Sequence, residues 1–194
     1  MKTEEEKFLI AQVVEKLTLF LEERNWVKYH HPKEMATAIA VEYMELLEIF
    51  LEGSSFSPTD LQDEIGDVYF SLTSLYNSLH MERSTLAFSP LPPSTLPPLQ
   101  LLLSFGVNLG RLMEHFQWLR EEESRSMTAD DSLLSSYAAT YAAFRLFCKS
   151  VNVDPHSAVF AKIQKTALKY PAEMVSTDRE KYVQWKKKLK KDTG

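Results

Sequence analysis

VEYMELLEIF (Val41 to Phe50) and LQDEIGDVYFSL (Leu61 to Leu72) decide how this chain is read. Glu42, Glu45 and Glu48 recur at steps of three in the first segment, and Glu64 and Asp67 in the second. Side chains three apart share one face of an α-helix, so each segment presents a stripe of carboxylates. The surrounding residues are apolar: Ile39, Met44, Leu46, Leu47, Ile49 and Phe50 in one, Ile65, Val68, Phe70, Leu72 and Leu75 in the other. Helices of this kind pack on each other, which brings part of the acidic stripe near their contact. Carboxylates held close repel and resist burial. A hard divalent cation removes the conflict; Mg²⁺ takes oxygen ligands near ~2.1 Å and shares its shell with phosphates. Inward-facing carboxylates on paired helices are one way to build such a site. The competing reading is a solvated acidic face paired with lysines, which suffices for a lone ExxE and serves less well for ExxE plus ExxD on adjacent apolar helices.

Outward from these segments the pattern stays helical, and the expected fold class is all-α. A first helix is expected from about Thr3 to Arg24, with Phe8, Ile10, Val13, Val14, Leu17, Phe20 and Leu21 at helical spacing. Asn25 to Lys33 (NWVKYHHPK) lacks that period and reads as a loop rich in aromatic and imidazole groups. Helix two is expected from about Glu34 to Leu51, ended by Gly53, and helix three from about Pro58 to Met81, opened by the Ser57-Pro58 cap. SPLPPSTLPP (Ser89 to Pro98) reads as a stiff extended linker. Helix four is expected from about Leu99 to Glu122, helix five from about Asp131 to Val151, and helix six from the Asp154-Pro155 start to about Lys169. A short lysine-rich helix is expected after Asp178.

Composition narrows the function. The net charge of -5 argues against nonspecific binding of nucleic acid, while a metal-bridged phosphorylated ligand remains compatible. MKTEEEKFLI at the start is not a secretory signal, and no apolar run approaches the ~20 residues that span a bilayer. Cys148 is the only cysteine, which excludes an intrachain disulfide and fits a cytoplasmic protein without membrane partners. It reads as a buried structural thiol. His31, His80, His115 and His156 lack metal-ligand spacing and read as surface or pocket-edge residues.

The chain also repeats itself. VEYMELLEIF aligns with VNLGRLMEHF (Val107 to Phe116) at an offset of 66, and Leu61 to Glu82 align with Leu133 to Asp154 at an offset of 72. Tyr69 then matches Tyr141, and Ser78 matches Ser150. The expected organisation is copy one over about 1–82, a proline linker over 83–98, a degenerate copy two over about 99–171, and a basic tail over 172–194. Copy two has Asn108, Arg111, Ser136 and Ala139 where copy one has Glu42, Glu45, Glu64 and Asp67, so only copy one keeps the acidic cluster. Chance alignment of two amphipathic helix pairs is the alternative.

ExxE followed by ExxD, within FLEERNWVKYHHPKEMATAIAVEYMELLEIF (Phe20 to Phe50) and LQDEIGDVYFSL, resembles the MazG-like superfamily of all-α nucleoside triphosphate pyrophosphohydrolases. The flanking residues look most like the dCTP pyrophosphatase branch, and VDPHSAVFAKIQKTALKYP (Val153 to Pro171) resembles the end of that family's core. The resemblance implies a MazG-like helical bundle that cleaves a (deoxy)nucleoside triphosphate, dCTP-like first, between the α- and β-phosphates for nucleotide-pool sanitation. It implies Mg²⁺ held by Glu42, Glu45, Glu64 and Asp67. It implies Trp26 stacked on the base, His30 in the nucleotide pocket and Lys162 near the phosphates. Lys33 is a further candidate for the phosphates, while for Lys165 and Lys169 plain solvated lysine is preferred. Two departures touch the nucleoside pocket: Phe50-Leu51-Glu52 stands where the family has Phe-Gln-Trp, and Thr166 where it has asparagine. Copy two has Phe116-Gln117-Trp118, so Trp118 is expected either to complete the pocket of copy one or to be an ordinary interface aromatic. Glu45 or Glu48 is expected to orient the attacking water; for Glu48 a second metal ion or plain solvent are the alternatives. The family assembles as dimers or tetramers, so the fused chain reads as a pseudo-dimer, with a homodimer of pseudo-dimers left open. A catalytically weak nucleotide-binding or scaffold protein is the rival function. A di-iron bundle lacks the ExxH pair it requires.

Overall fold

The computed structural model describes residues 2–51, 57–81 and 91–175, together with 180, 183–185 and 187. Every regular element among them is helical: α1 (Lys2–Glu23), a 3-10 turn (Val27–Tyr29), α2 (Pro32–Leu51), α3 (Pro58–Ser78), α4 (Pro98–Glu114), α5 (Glu121–Arg125), α6 (Asp131–Ser150), α7 (Pro155–Lys169) and α8 (Ala172–Val175). None of the described helices is long and apolar enough to cross a membrane.

The helix starts are set by local chemistry. The Ser57 hydroxyl accepts the Asp60 N–H at 3.1 Å while the Asp60 carboxylate accepts the Ser57 N–H at 3.1 Å, closing a capping box ahead of Pro58. Asp130 caps α6 by accepting the Leu133 N–H at 2.8 Å, and Asp154 caps α7 by accepting the Ser157 N–H at 3.0 Å, without a reciprocal bond among the described residues. Pro32 does not merely end the preceding loop, as expected, but opens α2 two residues early, because its ring already holds a helical φ. The expected stop at Gly53 and residues 83–90 of the linker lie outside the described residues, as does most of the lysine-rich segment after Asp178; 183–185 and 187 are helical.

α3 is the central element, in contact with α1, α2 and α7. Its run Ser71–Tyr76 is buried on every side, as a helix enclosed by others must be. α2 packs on α3 and on α4, and α4 packs on α6. α3 and α6 meet through Tyr69 and Tyr141, whose buried hydroxyls lie 3.0 Å apart. One hydrophobic cluster runs from Ile10 to Ile163 and takes residues from α1 to α4, α6 and α7. Two glycines permit the closest approaches. A Cβ on Gly66 would stand 2.8 Å from the Ala158 carbonyl oxygen, so the backbones of α3 and α7 approach closely there. A Cβ on Gly106 would stand 2.2 Å from the Tyr43 hydroxyl, so α4 accepts the ring of α2 only because the position is bare.

The fourth expected helix is in fact two. α4 stops at Glu114, Phe116 turns into the core, and α5 restarts at Glu121. The Glu123 carboxylate accepts the Arg120 N–H at 2.7 Å, supplying the restart, and the Lys33 ammonium donates to the Leu119 carbonyl at 2.6 Å, holding the intervening turn. Of the histidines read as surface or pocket-edge residues, His156 differs: it is buried against the Tyr69 ring, with its centroid 5.5 Å away, while His31, also buried, and His80 line a cavity. Cys148 is fully buried as expected, which pushes its thiol pKa well up.

Candidate metal centre

α2 brings Glu42, and α3 brings Glu64 and Asp67, to a common point at the seam of the two helices. One carboxylate oxygen from each lies within 4.8 Å of the others. All three are partly buried. Burial, followed by the charges of Asp67, Glu45 and Glu64, raises the Glu42 pKa to about 7. Burial, followed by Asp67 and Glu45, raises Glu64 to about 7 as well. At neutral pH these two groups therefore resist full ionisation as the site stands.

α7 supplies the counter-charge. Lys162 forms ion pairs with Asp67 and, at 3.3 Å, with Asp63. Gly66 lies between Glu64 and Asp67, and the close α3–α7 approach it permits puts the Lys162 stem 3.1 Å from where a Cβ would be. The two halves of the Lys162–Asp67 pair shift alike. Lys162 rises, because its carboxylate partners outweigh burial. Asp67 also rises, because burial outweighs the lysine. Asp63 moves down despite its burial, since Lys165 donates to it at 2.6 Å and Lys162 adds its charge. Two ammonium groups thus face five carboxylates: Glu42, Glu45, Asp63, Glu64 and Asp67.

The residues present fit a hard divalent cation. The donor set is all oxygen, as Mg²⁺ requires. The Glu64 Oε2 atom is buried and has no hydrogen-bond partner among the described residues. An acceptor left in that state costs about 1–3 kcal/mol, which a cation would offset.

Beside this cluster lies a cavity of about 230 Å³ lined by Trp26, His30, Glu42, Asp67, Phe70 and Thr166, among others. Trp26 is set by edge-to-face contacts with Phe20 (5.7 Å) and Tyr170 (5.5 Å). Arg24, buried to 5% exposure, donates to the Phe20 and Tyr170 carbonyls and fastens that corner. His30 is neutral at physiological pH, since burial and then the neighbouring His31 lower its pKa to about 4.

Of the residues expected at the site, Trp26, His30, Glu42, Glu64, Asp67 and Lys162 are thus brought together. Glu45 is exposed at the edge of the cluster, outside the group of three, yet near enough to raise the pKa of each member. Glu48, Lys33 and Trp118 do not line the cavity. Glu48 is exposed, Lys33 is spent on the Leu119 carbonyl, and Trp118 is 86% exposed. Asp63 escaped the sequence reading, although its i, i+4 spacing to Asp67 marks it as a neighbour on the same helix face. Lys165, read as a solvated lysine, is exposed but holds Asp63.

No family model matches the chain, and neither a curated protein nor a solved structure does.

Proposed function

We propose that this protein is a Mg²⁺-dependent nucleoside triphosphate pyrophosphohydrolase of the MazG-like kind, acting on a dCTP-like substrate and releasing the monophosphate and pyrophosphate. The observation that carries the reading is the convergence of Glu42, Glu64 and Asp67 on one point, with two of the three too poorly accommodated to ionise fully at neutral pH. A cation held there would screen the triphosphate charge and polarise its phosphoryl oxygens. The remaining work falls to the chain. Lys162, the cation paired with Asp63 and Asp67, is the group assigned to the phosphates. Trp26, which lines the cavity, is the ring assigned to the base. His30, uncharged, neither attracts nor repels the phosphates and is free to hydrogen-bond a sugar or base. Glu45, exposed at the rim, is the carboxylate best able to take a proton from an attacking water.

The same proposal includes the duplication. Residues that touch their own counterparts lie on a two-fold axis in an isologous pair. Tyr69 and Tyr141, equivalent in the repeat, meet hydroxyl to hydroxyl. The ends of α3 and α6 are also built alike at that spacing. Ser78 donates to the Leu75 carbonyl and Ser150 to that of Phe147, and His80 and Asn152 follow with positive φ of 50° and 56°. The Met81 N–H returns to the Tyr76 carbonyl as that of Val153 returns to Cys148. Left-handed helix ends are common taken singly; their agreement in register with the tyrosine contact is what supports a fused pseudo-dimer.

A catalytically weak nucleotide-binding protein is the second reading, favoured by the exposure of both Glu45 and Glu48. Incubation with each common NTP and dNTP, with and without Mg²⁺, followed by detection of pyrophosphate, separates the two. Mg²⁺-dependent pyrophosphate from at least one nucleotide, lost in Glu64→Gln and in Glu45→Ala, is the expected result. Release of orthophosphate alone, or no turnover with any of them, would sink the pyrophosphohydrolase.

A further inference from the structure

The turn that carries Trp26 and His30 has little to hold it from within. Val27, Lys28 and Tyr29 form a single 3-10 turn, and none of the three is buried. α1 fastens the Trp26 side through Arg24 and Phe20. The far side, from Lys28 to Lys33, lacks a local anchor of that kind. The first-turn amides of a helix need acceptors from outside it. α2 follows directly on His31, which is not a capping residue of the Ser, Thr, Asp or Asn kind.

α5 supplies what is missing. Ser124 is the buried residue of that short helix, and its hydroxyl accepts the Lys33 N–H at 2.8 Å from 91 residues away in sequence. The next residue, Arg125, donates to the Lys28 carbonyl at 2.9 Å. Glu121 aims the guanidinium by accepting its Nε and Nη2 donors at 3.1 and 2.6 Å. Lys33 closes the contact in the other direction, its ammonium donating to the Leu119 carbonyl at 2.6 Å. The backbone is thus held at Lys28 and at Lys33, and His30 stands between the two points. Neither Ser124 nor Arg125 lines the cavity of about 230 Å³ that Trp26 and His30 line. Any effect they have on that cavity passes through the turn.

We propose that Ser124 and Arg125 are positioning residues for substrate: by clamping the backbone at Lys28 and Lys33, α5 fixes the turn that sets Trp26 and His30 in the cavity wall. The inference rests on the reading of that cavity as the nucleotide site, and it gives the segment after α4 a share in substrate affinity without touching substrate. Ser124→Ala and Arg125→Ala each remove one of the two holds, and Glu122→Ala, an exposed change on the same helix, is the control. Amide hydrogen exchange, read by mass spectrometry on peptides covering residues 25–35, reports on the turn directly. Exchange there rises about tenfold in the two clamp variants, as loss of one hydrogen bond allows, and not in the control. Pyrophosphate release from dCTP, or from whichever common nucleotide is turned over fastest, reports on the cavity. KM rises about five- to tenfold in each clamp variant while kcat stays within about twofold. Binding of Mn²⁺, followed by electron paramagnetic resonance, is unchanged, because the acidic cluster is not part of the clamp. Thermal melts show that the variants are folded; Ser124→Ala removes a single oxygen, and Arg125 is a partly exposed side chain. An unchanged KM in both clamp variants overturns the positioning role, whatever the exchange rates do, and leaves the hydrolase standing. So does a loss carried by kcat or by Mn²⁺ affinity, or an equal rise of KM in Glu122→Ala. Wild type that releases no pyrophosphate from any nucleotide overturns the hydrolase reading itself, and this inference with it.

Discussion

Glu64→Gln should make the metal-free protein more stable at pH 8 while removing its stabilisation by Mg²⁺. The Glu64 pKa stands at about 7 against an ordinary 4.5. A folded-state pKa above the unfolded one means that the folded chain holds the proton more tightly. The stability this contributes is fully present below about pH 4.5 and is lost as pH rises through about 7. At ~1.4 kcal/mol per unit the shift corresponds to roughly 3 kcal/mol; because the carboxyl is only partly buried, solvent screening leaves about 1 kcal/mol. Glutamine keeps the shape and cannot ionise, so the variant should melt about 2–4 °C higher than wild type at alkaline pH. With Mg²⁺ the order reverses. At a hundredfold excess over Kd a ligand adds about 2.7 kcal/mol, or about 5–10 °C in Tm, to wild type and little to the variant. Differential scanning calorimetry from about pH 5 to 8, with and without Mg²⁺, reads both effects. A variant that is less stable than wild type at pH 8 without metal, or that keeps the full response to Mg²⁺, would refute the electrostatic account.

Metal affinity should itself depend on pH: two carboxyls at about 7 must both lose protons, so Mn²⁺ binding at pH 6 should be about 100-fold weaker than at pH 8, and a flat profile by titration would contradict the assigned ligands. Gly66→Ala drives a methyl to within 2.8 Å of the Ala158 oxygen; it should cost about 1–3 kcal/mol in urea unfolding and weaken substrate binding by displacing Lys162, whereas an unchanged midpoint would mean that the helices part freely. Tyr69→Phe and Tyr141→Phe should each destabilise by about 1 kcal/mol, and the double variant by less than their sum, since one bond joins them; strict additivity would deny the contact. Trp118→Ala should leave Tm within about 1–2 °C of wild type, as befits an 86% exposed ring, and a rise in KM alone would assign Trp118 to a pocket.

Much of the bundle was legible because its boundaries carry local chemistry. Ser57-Pro58 and Asp154-Pro155 mark starts that need no partner, and the apolar spacing of α1, α3 and α6 follows the 3.6-residue period. The break after Glu114 was not legible. It depends on the Lys33 ammonium reaching a carbonyl 86 residues away and on Phe116 finding the core, neither of which a local pattern encodes. The acidic site was read in part for a geometric reason. Each step of three residues turns about 60° around a helix. When Glu42 faces the seam, Glu45 stands at its edge and Glu48 points to solvent, so three glutamates at equal spacing cannot serve one point equally. Asp63 and Lys165 were missed because their partners lie on α3 and α7, whose close approach is set by Gly66.

On the proposed duplication, the tyrosine contact has a consequence for descent. A proton between two hydroxyls belongs to one of them at any instant, so even a perfectly symmetric pair of subunits must settle on a donor and an acceptor where they meet. Separate, identical chains cannot inherit that choice, because any change of sequence alters both partners at once. Joined end to end, the two rings become different genetic positions, and each is free to specialise. If the chain is the fused pseudo-dimer proposed above, Asn108, Arg111, Ser136 and Ala139 in place of the four acidic residues would be the same freedom exercised on a larger scale.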